Sequence, residues 1–104
     1  METVRFLNWN CHVQHEHYNN GRTCIQLYTE QGEPMATATV NVPCFSLAPD
    51  EVLVKDYAEN TGILECLSEA GVILPTGKTL QVGQAVVHVC KLPTTKVAKS
   101  LLHH

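Results

Sequence analysis

The chain has 104 residues, a 44% hydrophobic composition and a formal net charge of −3, which suits one globular domain with a single core and no need of covalent staples. Its longest apolar runs, such as Val72-Ile73-Leu74 and Ala85-Val86-Val87, are too short for a membrane-spanning helix, and no secretory leader is expected. Five cysteines (Cys11, Cys24, Cys44, Cys66 and Cys90) are an odd number, spread almost evenly without a C-x-x-C pair; no disulfide framework of the short secreted type is expected, and a reduced, cytoplasmic setting is expected in which most act as small buried apolar residues.

Charge is unevenly placed along the sequence. Residues 30 to 69 hold Glu30, Glu33, Asp50, Glu51, Asp56, Glu59, Glu65 and Glu69 against the single cation Lys55, whereas Arg5, Arg22, Lys78, Lys91, Lys96 and Lys99 lie outside. Direct nucleic-acid binding by this band is not expected, because phosphate contacts supply most of the affinity there. An acidic face serves solubility alone or meets a basic protein surface.

In chain order, Thr3 to Leu7 (TVRFL) reads as an opening strand with Val4 and Phe6 on one side. Asn8-Trp9-Asn10 is turn-prone, and Cys11 to Tyr18 (CHVQHEHY) predicts a second, polar strand closed by Asn19-Asn20-Gly21, since Asn-Gly supplies the positive φ values of tight hairpins. Cys24 to Val42 then predicts a hairpin turning at Glu30-Gln31-Gly32-Glu33-Pro34. By the two-residue period of a strand, Ile25, Leu27, Ala36, Ala38, Val40 and Val42 form its apolar face, and Gln26, Tyr28, Thr37 and Thr39 its wet face.

Pro43 stops the second arm because it cannot donate to a ladder. Residues 44 to 51 form a loop with Phe45 and Leu47 as anchors, and Val52-Leu53-Val54 is a short strand or an extended lead-in. Asp56 to Gly71 predicts the main helix, capped by Asn60 or Thr61, striped by Ile63, Leu64, Leu67 and Ala70, ended by Gly71, and carrying Glu59, Glu65 and Glu69 outward. Residues 72 to 77 exit the helix. Ala85 to Leu92 is a last strand whose nearly continuous apolar residues suit a central or doubly covered position. The fold class expected is α+β: an antiparallel, meander-like sheet of four to five strands with one main helix packed on one face, over residues 1 to 92, followed by a loose tail over 93 to 104. An exposed edge of such a sheet points to a homodimer.

Three chemistries can be read against their plain alternatives. His15 and His17 share one strand face, as do His88 and Cys90; if the two strands were neighbours, these four soft or borderline ligands would suit zinc, although the spacing matches no closed zinc motif and the plain reading is exposed histidines plus a core cysteine. Gly77-Lys78-Thr79 resembles the end of a phosphate-binding loop, but Gly71 is one residue too distant and a strand-then-helix context is missing. Cys66 with one of the histidines lacks any local catalytic signature, so no catalytic residue is assigned. Tyr57 and Tyr28, aromatic residues beside acidic ones, join Glu59, Glu65 and Glu69 as candidates for a protein-binding surface.

Asn19-Asn20-Gly21-Arg22, Ile25-Gln26-Leu27-Tyr28, Gly32-Glu33-Pro34, Ala36 to Asn41 (ATATVN), Val54 to Ala58 (VKDYA) and Val89-Cys90-Lys91-Leu92 together resemble a small domain-of-unknown-function family carried by phages, plasmids and integrative elements. That resemblance spans roughly residues 17 to 92 and brings no catalytic motif with it. It implies a short accessory protein of a mobile element, of a kind that often binds and blocks host machinery, including restriction and CRISPR systems. With the acidic band and no catalytic motif, the expectation is a non-catalytic protein whose partner is a basic nucleic-acid-binding host complex, the alternatives being a zinc-binding domain or a small enzyme of unrecognised type.

Overall fold

A computed structural model describes residues 2–93. Eight strands pair into two four-stranded antiparallel sheets. The first is a meander of β1 (Glu2–Phe6), β2 (Trp9–His17), β3 (Thr23–Thr29) and β4 (Pro34–Thr37). The second holds β5 (Thr39–Val40), β6 (Glu51–Lys55), β7 (Leu74–Val82) and β8 (Ala85–Lys91) in the spatial order β5-β6-β8-β7. A 3₁₀ turn at Ala58–Asn60 and the helix α1 (Ile63–Glu69) lie between β6 and β7. The α+β class and the meander-like antiparallel pairing agree with the sequence, the strands being divided between two sheets. The tail expected over 93 to 104 lies, from residue 94, outside the described residues.

The main core fills the space between the two sheets and α1. Val4, Phe6, Cys11, Val13, Ile25 and Leu27 enter it from the first sheet, Val52, Val54 and Cys90 from the second, and Ile63 and Leu67 from the helix. A second cluster covers the opposite face of the second sheet, where Leu53, Val87 and Val89 meet Val40 of β5 and Val42, Phe45 and Leu47 of the 41–50 segment. The central strand β8 is therefore covered on both faces, which is why its sequence is apolar almost throughout. Arg22 holds the covering segment in place, its guanidinium donating to the carbonyls of Val42 (2.7 Å) and Phe45.

The hairpin expected over 24 to 42 is not one hairpin, because its second arm crosses from one sheet to the other at Ala38. The Ala38 N–H donates to the Ile25 carbonyl in the first sheet (2.9 Å), and its carbonyl accepts from the Lys55 N–H in the second (2.9 Å). Beyond this point the face assignment changes: Val40 and Val42 join the second cluster instead of lying beside Ile25 and Leu27. Thr39, expected on the wet face, is only 1% exposed. Its Oγ1 accepts from the Ile25 N–H (3.2 Å) and pairs with the Tyr18 hydroxyl (2.8 Å), so the hydroxyl does the work of a ladder carbonyl where the strand leaves the sheet.

The helix is shorter than the sequence suggested. Gly62 sits at φ 95°, a conformation that interrupts any right-handed run from residue 56. Asn60, expected as a cap, is instead buried at 1% exposure, and its Nδ2 donates to the carbonyls of Thr37 (2.7 Å) and Lys55 (3.2 Å) on either side of the crossing. Asp56 caps α1 from a distance, its two oxygens accepting from the N–H groups of Gly62 and Leu64 at 2.9 Å each. At the other end the Val72 N–H bonds the Leu67 carbonyl (2.9 Å) and the Gly71 N–H that of Ser68 (3.1 Å), with Gly71 at φ 76°, the double closure expected of a glycine at this position. Ala70, assigned to the apolar stripe, is exposed.

Two further differences bear on function. Residues 74 to 82, of which 74 to 77 read in sequence as the exit from the helix and the rest belong to no expected element, form β7, an edge strand with nearly every side chain in solvent and a register shift between Pro75 and Thr79; proline and glycine hid a strand that tolerates both because it lies at an edge. The first hairpin turns at Leu7 and Asn8, with φ 53° and 65°, and Trp9 pairs with Phe6. Placing leucine in the left-handed region costs about 1–2 kcal/mol.

Two measurements test the crossing. Thr39→Val should lower unfolding free energy by about 2–3 kcal/mol in urea titrations, since it orphans both the Ile25 N–H and the Tyr18 hydroxyl. Ala38→Asp should abolish folding while Thr37→Asp is tolerated, the latter residue being half-buried and bonded only to Gln26 through its side chain. Burial pushes the Tyr18 hydroxyl up to about 12, the Thr39 bond opposing it. The folded state then holds its phenol proton more tightly than the unfolded state, so stability present below the usual tyrosine range near ~10 should fall as pH rises towards ~12. Tyr18→Phe should flatten that part of the stability curve.

Candidate functional site: the open face of the first sheet and its rim

One face of the first sheet is spent on the core. The other is open, and the antiparallel register arranges its side chains in rows. Arg5 lies opposite Asn10, Thr3 and Tyr28 flank His12, and Gln14 faces Gln26, which faces Thr37. These residues come from the alternate positions of the strands whose other positions are Val4, Phe6, Cys11, Val13, Ile25 and Leu27, so the core pattern itself dictates a polar exterior.

Two adjoining depressions of about 460 and 470 Å³ run along this face and share His12 and Glu30. Gln14, Glu16 and Tyr28 line one of them, and Thr3, Arg5 and Asn10 the other. The Tyr28 hydroxyl donates to the Glu16 carboxylate (2.8 Å), a bond that raises the phenol above its usual range because it favours the protonated form. Within the trough the Nδ1 atom of His12 is buried and has no hydrogen-bond partner among the described residues. In the first depression two carboxylates, an imidazole and a phenol make a surface suited to cationic or hydrogen-bond-donating groups, whereas the second sets Arg5 against Glu30. The signal in the sequence was the alternation of His12, Gln14 and Glu16 in CHVQHEHY, interleaved with the opposite parity of His15 and His17.

The candidate interaction residues divide between two surfaces. Tyr28 belongs to the trough. Glu59, Glu65 and Glu69 are exposed on the 58–69 segment, with Tyr57 38% exposed just before it. Two members of the acidic band serve local structure instead: Asp56 caps α1, and Glu51 Oε1 accepts from the Ala48 N–H (2.9 Å). The α1 exterior is tied to the first sheet by Cys66, whose Sγ–H donates to the Arg5 carbonyl (3.2 Å). Sequence reasoning missed Leu7 at the end of the β1–β2 hairpin, where Leu7 and Trp9, the latter one of the aromatic residues weighed as interface anchors, are 56% and 55% exposed.

The four candidate metal ligands are not brought together. His15 and His17 lie in β2 of the first sheet, and His88 and Cys90 in β8 of the second. His15 Nδ1 stands 3.7 Å from a Glu2 oxygen, and Cys90 is buried in the main core, where desolvation pushes its thiol up to about 11. Among the described residues no group of three or more His, Cys, Asp or Glu side chains is placed to hold an ion. Burial also raises the Cys11 and Cys66 thiols, which keeps them in the protonated, unreactive form. Cys44 departs from the expected burial and is exposed. Gly77-Lys78-Thr79 lies within β7 and leads into a second strand rather than a helix, so it lacks the helix N-terminus on which phosphate binding depends.

No protein-family model matches the chain, and neither a curated protein nor a solved structure matches it.

The separation of the histidine pairs has a measurable consequence. One equivalent of zinc should leave the melting temperature of wild type and of His88→Ala unchanged, because an ion held by the folded state alone would raise it. A rise in wild type that His88→Ala removes would show that the two strands do meet around a metal.

Proposed function

We propose that this protein is a non-catalytic binding module that docks on a basic surface of a protein partner. The observation that carries the reading is the outward display of Glu59, Glu65 and Glu69 on a segment whose Asn60, Ile63 and Leu67 are all turned into the interior. Carboxylates placed this way add nothing to the packing of the fold, and they favour encounter with a cationic surface through long-range attraction. The trough adds Glu16 and Glu30 on a second side of the molecule.

The resemblance to accessory proteins of phages and mobile elements supplies a setting. A host defence complex of the restriction or CRISPR type holds nucleic acid in a basic groove, and an acidic protein of this size can occupy such a groove in its place. Inhibition then follows from occupancy alone, without chemistry on the target.

Host-lysate capture with wild type and with the triple variant Glu59→Lys, Glu65→Lys, Glu69→Lys is the test. Wild type should retain a discrete set of proteins that elutes at about 0.5 M salt, where screening reaches within a few ångströms, and the variant should retain none of them. Identical recoveries from both, or none from either, would refute the acidic-surface reading.

A further inference from the structure

We propose that the turn joining β1 to β2, Leu7-Asn8-Trp9, is an apolar anchor that enters a hydrophobic pocket rimmed by lysine and arginine on the protein partner. The inference rests on the binding function proposed above and names the part of the surface that supplies specificity.

Leu7 is held where a leucine gains little from the fold. Its φ of 53° and that of Asn8, 65°, make both central residues of the turn left-handed, a geometry that asparagine, aspartate and glycine occupy with ease and leucine does not. Burial compensates only in part. Val4 and Phe6 on the same strand are 7% and 3% exposed, whereas Leu7 at 56% and Trp9 at 55% are the most exposed large apolar side chains of the described residues. A residue that is both strained and uncovered conflicts with folding at two levels, and such conflicts concentrate at functional sites.

The geometry suits an anchor. A two-residue turn on a paired hairpin, with Phe6 opposite Trp9, presents its side chains with little freedom left to lose, and tryptophan is the side chain most often found at the energetic centre of interfaces. Its surroundings select the partner. The thiol of Cys66 bonds the Arg5 carbonyl (3.2 Å), which fixes α1 beside the strand that leads into the turn, and Glu65 and Glu69 are exposed on the same helix. Two carboxylates on the neighbouring helix, against the one exposed cation Arg5 on the strand itself, favour a cationic rim. They oppose an anionic lipid surface, and they oppose a second copy of this chain, which would bring like charges together.

Trp9 is the chain's only tryptophan, so its emission reports this site alone. Wild type, Leu7→Asn, Trp9→Thr and Glu65→Lys/Glu69→Lys would be compared as baits, and the protein retained by wild type would be purified and titrated into it. The proposal expects Leu7→Asn and Trp9→Thr each to weaken binding by at least about tenfold. It expects Leu7→Asn to melt no lower than wild type, since asparagine accepts the left-handed conformation, and the emission of wild type to shift to the blue in the complex. Binding of Leu7→Asn and Trp9→Thr at wild-type strength overturns the anchor; if Glu65→Lys/Glu69→Lys fails under the same conditions, the acidic-surface reading survives it. An emission unchanged in the complex also overturns the anchor. So does a blue shift produced by vesicles containing phosphatidylserine, or by raising the concentration of this protein alone. Retention of no protein by wild type removes both readings together.

Discussion

The two backbone groups of Ala38 bond in opposite directions, and the rest of the structure depends on that division. Its N–H completes the ladder of the first sheet, and its carbonyl begins that of the second. A chain that changes sheets within one residue leaves backbone groups stranded on both sides of the crossing, in an interior where each unpaired group costs about 1–3 kcal/mol. Thr39 and Asn60 supply the missing partners from side chains: Thr39 serves the Ile25 N–H, and Asn60 serves the carbonyls of Thr37 and Lys55. Asn60 belongs to the turn that precedes α1, so the same bonds set where the helix begins. Two sheets and a helix are thereby joined at a point where Ala38 is fully buried, and the main core condenses around it.

How much of this was legible in the sequence follows from the same residues. Periodicity is local, and wherever a segment stays in one layer it gave the right faces: Val4 and Phe6, Cys11 and Val13, Ile25 and Leu27 all point inward as alternation required. The pattern in residues 36 to 42 is equally regular, yet Val40 and Val42 enter a different cluster from Ala36 and Ala38. Alternation specifies a side of a strand and cannot specify which sheet that side belongs to. The buried polar residues were unreadable for a related reason. A threonine or asparagine reads as exposed until a non-local partner is known, and the partners of Thr39 and Asn60 include residues 14, 21 and 23 positions away. The histidine pairs failed in the opposite sense, since their convergence assumed a strand neighbourhood that the topology does not make.

The candidate surface follows from an asymmetry between the sheets. The second sheet is covered twice, by the main core and by the 41–50 segment that Arg22 anchors. Its inner strands β6 and β8 are committed to packing on both sides, and only the edge strand β7 stands largely in solvent. The first sheet packs on one face only, and the other carries histidine, glutamine, glutamate and tyrosine in ordered rows. Polar side chains on a rigid, half-buried sheet are better placed for recognition than the same residues on a loop, since the ladder fixes their spacing before any partner arrives.

Strain separates the two kinds of site more sharply than exposure does. Three residues other than glycine have positive φ among the described positions: Leu7, Asn8 and Ala58. Ala58 is explained from inside the fold, because its carbonyl accepts from both the N–H (3.2 Å) and the hydroxyl (2.8 Å) of Thr61, and the turn it opens delivers Asn60 to the crossing. The bonds that follow from its conformation offset the strain. Asn8 has a side chain adapted to the left-handed region. Leu7 has neither remedy, and the strand that precedes it is already anchored by Val4 and Phe6 in the core. A turn with asparagine there would close the same hairpin at lower cost, and the proposed anchor draws on that difference between the leucine and the residue the turn prefers.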